Sequence, residues 1–158
     1  MRPWCHLSQG GRTMESVDKR LARGLFALCF TIAWFLMQWA VEKFVKPEGT
    51  AKIFAAFYQL PVDVNLAPVL GGLQAIVVLA FLAGFMKKWS YGLVLLMHGV
   101  TTAVTWRSIV MPFADGSSHL FTTGVPVLAA CWVLFYLRDQ DTLFSLDAAR
   151  AAQVRKAG

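Results

Sequence analysis

His98, Thr101, Thr102 and Thr105 recur at helical spacing inside the apolar stretch WSYGLVLLMHGVTTAVTWRSIVM, residues 89–111. On a helix they form one polar stripe down one side. Imidazole is the side chain whose ordinary pKa suits proton exchange near neutrality. An ionisable group inside a membrane helix usually faces a bundle interior or a wet cavity. The stripe therefore marks a candidate pocket, with Trp106 and Arg107 where the helix would leave the lipid. Further polar groups sit at the ends or middles of other apolar runs: Gln38, Glu42 and Lys43, then Gln74, then His119. Each has a plainer reading. Lys43 and Arg107 equally suit snorkelling anchors, Glu42 a structural ion pair with Lys43 or Arg107, and the threonines bonds back to their own helix. His98 is divided between a functional and a packing role, and His119 is the weaker histidine.

These groups need apolar elements to hold them. The chain has 158 residues, 57% of them hydrophobic and 15% charged, too apolar for an ordinary soluble domain. The net charge of +6 sits at the ends of apolar runs, which reads as topology-setting charge and not as a nucleic-acid surface. Four spans are expected, at about 21–44, 65–86, 89–111 and 119–137, each near the length that crosses ~30 Å of hydrocarbon. The first is read as an uncleaved span, since a signal peptide would be shorter and followed by a small-residue cleavage site. Residues 1–20 are expected as a basic cytoplasmic tail in which Met14 is an alternative start, and residues 139–158 as a solvated cytoplasmic tail.

Between Pro47 and Pro61, Ile53, Phe54, Phe57, Tyr58 and Leu60 gather on one side, predicting a short amphipathic helix over about 49–60. Asn65 is expected to cap the second span, with Pro68 in its first turn. Ser117 or Ser118 is expected to cap the fourth, which Pro126 should kink. The Lys87–Lys88 turn makes spans two and three antiparallel neighbours. Lysine and arginine bias puts both termini in the cytoplasm. The fold class is thus all-α membrane: a four-transmembrane-helix antiparallel bundle with an amphipathic helix in the first outer loop.

In that topology Glu42, Lys43, Arg107 and His119 share one level under the amphipathic helix. Gln74 and His98 lie deeper, within about 6 Å of one another in depth. An outward-facing polar pocket narrowing toward Gln74 and His98 is expected. Cys5, Cys29 and Cys131 show no paired or metal-ligand spacing, and the latter two read as small buried hydrophobes. No metal site is expected, and no haem, nucleotide or nucleophile motif occurs.

The Arg-Leu-Ala-Arg-Gly opening at Arg20 to Gly24, the lysine ending the first span (Lys43) before a Phe-rich segment, and the tight second turn resemble the DoxX-like family of small bacterial membrane proteins. The resemblance covers residues 20–140. It implies a multi-pass protein of the bacterial inner membrane, linked to redox complexes, with a quinone as the possible cofactor. Family members often carry a glutamate where this chain has Gln74, which removes a titratable group. The expected function is a membrane subunit of a quinone- or sulfur-linked redox system, partnered by the bilayer, by another membrane or periplasmic redox protein, or by further copies of itself. The alternatives are a non-enzymatic scaffold or assembly factor, and a small-solute or ion carrier. Whether the chain is itself an enzyme stays open.

Overall fold

The computed structural model describes residues 7–114 and 117–157. Cys5, Asp115 and Gly116 lie outside the described residues. The described chain is helical throughout, with no strand. Three helices are long and apolar enough to cross a membrane, Glu15–Val45, Val64–Leu82 and His119–Tyr136, which makes this a membrane protein. Large apolar side chains such as Trp34, Ile76, Leu96 and Trp132 stand exposed on its flanks. In water such a surface is a liability, whereas against hydrocarbon it is the ordinary state.

Helix α1 spans Leu7–Val45 without a break. It therefore runs back through much of the segment expected as a tail, because nothing between residues 7 and 21 stops it: Gly10 and Gly11 lower helix propensity but do not end a helix anchored downstream. Helix α2, Pro47–Ile53, starts with proline in its first turn. Helix α3, Ala67–Leu82, also has proline at its start, but the capping residue upstream is Asp63, not Asn65. The Asp63 carboxylate accepts from the Asn65 backbone N–H at 2.8 Å and closes a short 3-10 turn over Val64–Leu66.

Helix α4, Lys87–Val104, is followed by a bend at Thr105 and by the short α5, Trp106–Val110. The 89–111 span is thus two helices. Thr101, Thr102 and Thr105 each donate a hydroxyl proton to a carbonyl one turn back, at 3.0, 2.8 and 2.8 Å. Such back-bonding bends helices, and three in succession coincide with the end of α4. Helix α6, Gly124–Tyr136, follows a 3-10 turn at His119–Thr123 capped by Ser118, whose hydroxyl accepts from the Leu120 N–H at 3.3 Å. Pro126 lies in the first turn of α6, two residues after the 3-10 turn gives way to α-helix at Gly124.

Helix α1 lies along α3, α4 lies along α6, and α3 meets α4 as α1 meets α6. Gly71 permits the first contact: a Cβ there would sit 2.9 Å from the Ala40 carbonyl oxygen. The driest packing joins Cys29, Phe81, Tyr91, Val94, Cys131 and Leu134, with the Phe81 and Tyr91 rings 4.6 Å apart. Cys29 and Cys131 are buried and unpaired, as small core groups.

The segment after α6 is not a free tail. Asp141 and Ser145 are buried, and helix α7, Leu146–Ala157, is pinned at its start. Asp147 accepts from the Met86 and Lys87 backbone N–H groups at 3.1 and 3.0 Å, supplying α4 with its N-terminal cap from across the chain. The Leu146 and Asp147 N–H groups donate in turn to the Ala83 and Gly84 carbonyls. Gly84 has φ +57, and a Cβ there would meet the Ser145 hydroxyl at 2.8 Å, so only glycine fits the turn.

Candidate functional site

The end of the molecule away from the Lys87 turn encloses a cavity of ≈ 630 Å³ between α1, α3, α4 and the start of α6. Its walls are mostly apolar, and its polar groups are few.

The cover over this cavity is built by the 47–58 segment. After Ile53 the helix widens into a π turn, Phe54–Tyr58, and stops at Gln59, which takes the left-handed conformation at φ 54. Pro61 bars further helix beyond it. The widened turn stacks Phe54 on Tyr58 with ring centroids 4.8 Å apart and brings Phe57 to 5.4 Å from Phe121. The Tyr58 hydroxyl lies 2.9 Å from Thr101 Oγ1. Since Thr101 has committed its proton to the Met97 carbonyl, Tyr58 is the donor. The expected amphipathic element therefore exists as two pieces, α2 and a π turn. Ile53, Phe54, Phe57 and Tyr58 face the cavity, while Leu60 is exposed.

On the α1 side, Lys43 Nζ donates to Gln74 Oε1 at 2.8 Å and to the Trp39 carbonyl at 3.0 Å. Gln74 Nε2 donates to the Leu36 carbonyl at 2.9 Å. The amide of Gln74 is thus oriented by two partners, and it ties Lys43 to the α1–α3 contact. Two of the three ammonium protons are committed, and the third is free for a ligand. Among the described residues no carboxylate pairs with Lys43: the ion pairs are Lys19–Glu15 and Arg138–Asp139.

On the α4 side His98 is 7% exposed, and its Nε2 lies 3.1 Å from the Gly124 carbonyl. A carbonyl only accepts, so Nε2 carries a proton, and whenever the ring is neutral Nδ1 is an acceptor. Phe35 meets the imidazole edge-on with centroids 6.1 Å apart.

The cavity unites seven of the residues singled out from the sequence: Glu42, Lys43, Gln74, His98, Thr101, Thr102 and Thr105. It leaves out four. Gln38, Trp106, Arg107 and His119 are exposed and do not line it. Arg107 lies over the Trp106 ring at 5.6 Å, on the short helix that follows the break at Thr105. Glu42 lines the cavity without the expected ion pair to Lys43 or Arg107.

Two features had not been singled out as polar site groups. Tyr58 was counted only as part of an apolar face, and its hydroxyl was the available signal. At the opposite end, a buried cluster joins Lys87, Tyr91 and Asp141. Tyr91 donates to Asp141 Oδ2 at 2.5 Å, the Lys87 ammonium donates to the Asp141 backbone carbonyl, and Cys29 Sγ lies 3.7 Å from the Tyr91 hydroxyl. Nothing local in the sequence around Asp141 announces its burial.

No protein-family model, curated protein or solved structure matches the chain. The cavity offers one free ammonium donor, one imidazole acceptor and apolar walls, an arrangement that fits a small amphiphile with a polar ring or head.

Proposed function

We propose that the protein is a membrane subunit of a redox system whose cavity holds the head group of a membrane quinone. The observation that carries this reading is the pairing of a donor and an acceptor inside apolar walls: the uncommitted Lys43 N–H and the unprotonated His98 Nδ1, in ≈ 630 Å³. A quinone carbonyl accepts from Lys43. A quinol hydroxyl donates to His98, so the two groups serve both redox forms. Gln74 and Tyr58 act as positioning residues, through Lys43 and Thr101.

In this reading α4 is a fourth span and the chain forms an antiparallel bundle. Hydropathy passes over α4 because it opens with Lys87 and Lys88 and carries the His–Thr stripe, whose polar groups are satisfied inside the protein. The lysines and arginines at the Lys87 end favour that end in the cytoplasm of a bacterial inner membrane, with both termini there. The likeness of Arg20 to Gly24 and of Lys43 to the DoxX-like pattern agrees with a role beside a redox partner. A scaffold reading is weakened by Gly71, whose small size is used within the chain against Ala40.

The test is extraction of the tagged protein in mild detergent with quantification of quinone in the same sample. Near-stoichiometric quinone, reduced at least tenfold by Lys43→Met or His98→Phe at unchanged yield, is expected. Quinone at the level of bulk lipid in the wild type rejects the proposal.

A further inference from the structure

Resting on the amphiphile-binding reading, we infer that the ligand enters sideways from the hydrocarbon, between α3 and α4, and that it is a single-tailed lipid-borne molecule whose tail remains in that opening. Three leucine and valine side chains face two ways. Leu73 on α3 and Leu96 and Val100 on α4 all line the cavity, yet they are 58%, 62% and 43% exposed. Their inner surfaces bound the cavity and their outer surfaces face the bilayer.

Two of the other sides and both ends are closed by contacts. Helices α1 and α3 approach so tightly at Gly71 that a Cβ there would be 2.9 Å from Ala40. Helices α4 and α6 touch through Gly99 and Leu128, where a Cβ would be at 3.7 Å, and through Thr102 and Gly124, at 3.4 Å. At the turn end Phe81 on Tyr91 joins α3 to α4. At the other end the 47–58 segment lies across the cavity, held by the Tyr58–Thr101 bond and the Phe57–Phe121 contact. The double exposure of Leu73, Leu96 and Val100 places the opening between the far halves of α3 and α4.

The chemistry of that opening fixes the class of ligand. Both lips are aliphatic, Leu70, Leu73 and Val77 against Leu96 and Val100, with no charged side chain among them. A hydrated solute passing this way would shed its water with no compensating partner. A molecule already dissolved in the bilayer sheds none. Its head meets Lys43 and His98, and its tail keeps the lips covered. The charged lining residues are Lys43 and Glu42, which balance, so the head is small and without net charge, and a two-tailed phospholipid with a larger ionic head does not match.

The experiment compares full-length wild type, Leu73→Trp/Leu96→Trp and Tyr58→Phe. The probes are a decyl-tailed benzoquinone and the same ring without a tail. The tryptophans are expected to lower affinity for the decyl compound at least tenfold while leaving the tail-less ring within twofold; Tyr58→Phe should not alter the ratio. Equal affinities for both compounds in the double variant and wild type overturn the inference. So does equal loss of both, or a change of oligomeric mass at wild-type affinity, which would give the lips to a second copy. Leu73→Trp alone serves if the double variant is not monodisperse. A fatty acid with a photoreactive diazirine in its tail is applied to the same samples. Wild type should be labelled within residues 70–77 and 96–100 and the double variant should not. Absence of that label rejects the opening even if quinone binds; label without quinone binding rejects the quinone reading and keeps the opening.

Discussion

Lys43 holds its charge inside the cavity wall against uncharged partners, the Gln74 amide and the Trp39 carbonyl. Gln74→Leu removes an acceptor from Lys43 and a donor from the Leu36 carbonyl together. We expect a loss of about 1–3 kcal/mol, the range for stranding buried polar groups, read as a lower thermal midpoint in detergent. An unchanged midpoint would show that the chain Lys43–Gln74–Leu36 carries no stability. Gln74→Glu keeps an acceptor for Lys43 and adds a titratable carboxylate beside it. Ligand affinity should then depend more strongly on pH than in the wild type, and an unchanged profile in the variant would separate the cavity from charge handling. At the opposite end Tyr91 is the one partner of the Asp141 carboxylate, whose second oxygen is buried without a bond. Tyr91→Phe strands both oxygens, and a cost of about 1–3 kcal/mol is expected in the same melt. Of the polar stripe on α4, the three threonines spend their protons on their own helix, and His98 is the member with an acceptor left over.

Helix contacts carry the next set of constraints. Gly71 is required where α1 crosses α3, because a new Cβ would lie 2.9 Å from the Ala40 backbone oxygen as well as against the Phe44 ring and Lys43 Cβ, and the backbone oxygen cannot swing aside. Gly71→Val should destabilise by about 1–3 kcal/mol through overpacking and should weaken ligand binding, since it moves Lys43 relative to Gln74. Gly24→Val is the control, as a Cβ at Gly24 meets nothing within 4 Å; equal melting of the two variants would refute the close-approach argument. The bend at Thr105 has a comparable role: it separates the stripe, which stays in the cavity, from Trp106 and Arg107, which leave it. A sequence periodicity that runs on past Thr105 cannot show this, because the pattern of residue types is the same for one helix or two.

Across the whole molecule the two ends are built differently. The Lys87 end is filled by side chains and sealed by residues 141–147, while the other end keeps a cavity under the 47–58 segment. Truncation after residue 140 removes Asp147 from the start of α4 and uncovers Tyr91 and Cys29. Maleimide labelling at Cys29, mapped by mass spectrometry, should be near zero in the folded full chain and should rise severalfold in the truncated one. Equal labelling would mean that the C-terminal segment does not seal this end. The apolar helices, the proline-led starts of α2 and α3 and a tight connection between α3 and α4 follow from sequence, because length, hydropathy and cap chemistry act within a few residues; the connection itself lies at residues 83–86, and Lys87 and Lys88, expected in it, open α4. The start of α1, the bend at Thr105, the departure of Arg107 and His119 from the cavity, and the burial of Asp141 were decided by tertiary structure. Each depends on how a helix is rotated and on what is packed against it from a distant part of the chain, and a one-dimensional pattern carries neither quantity.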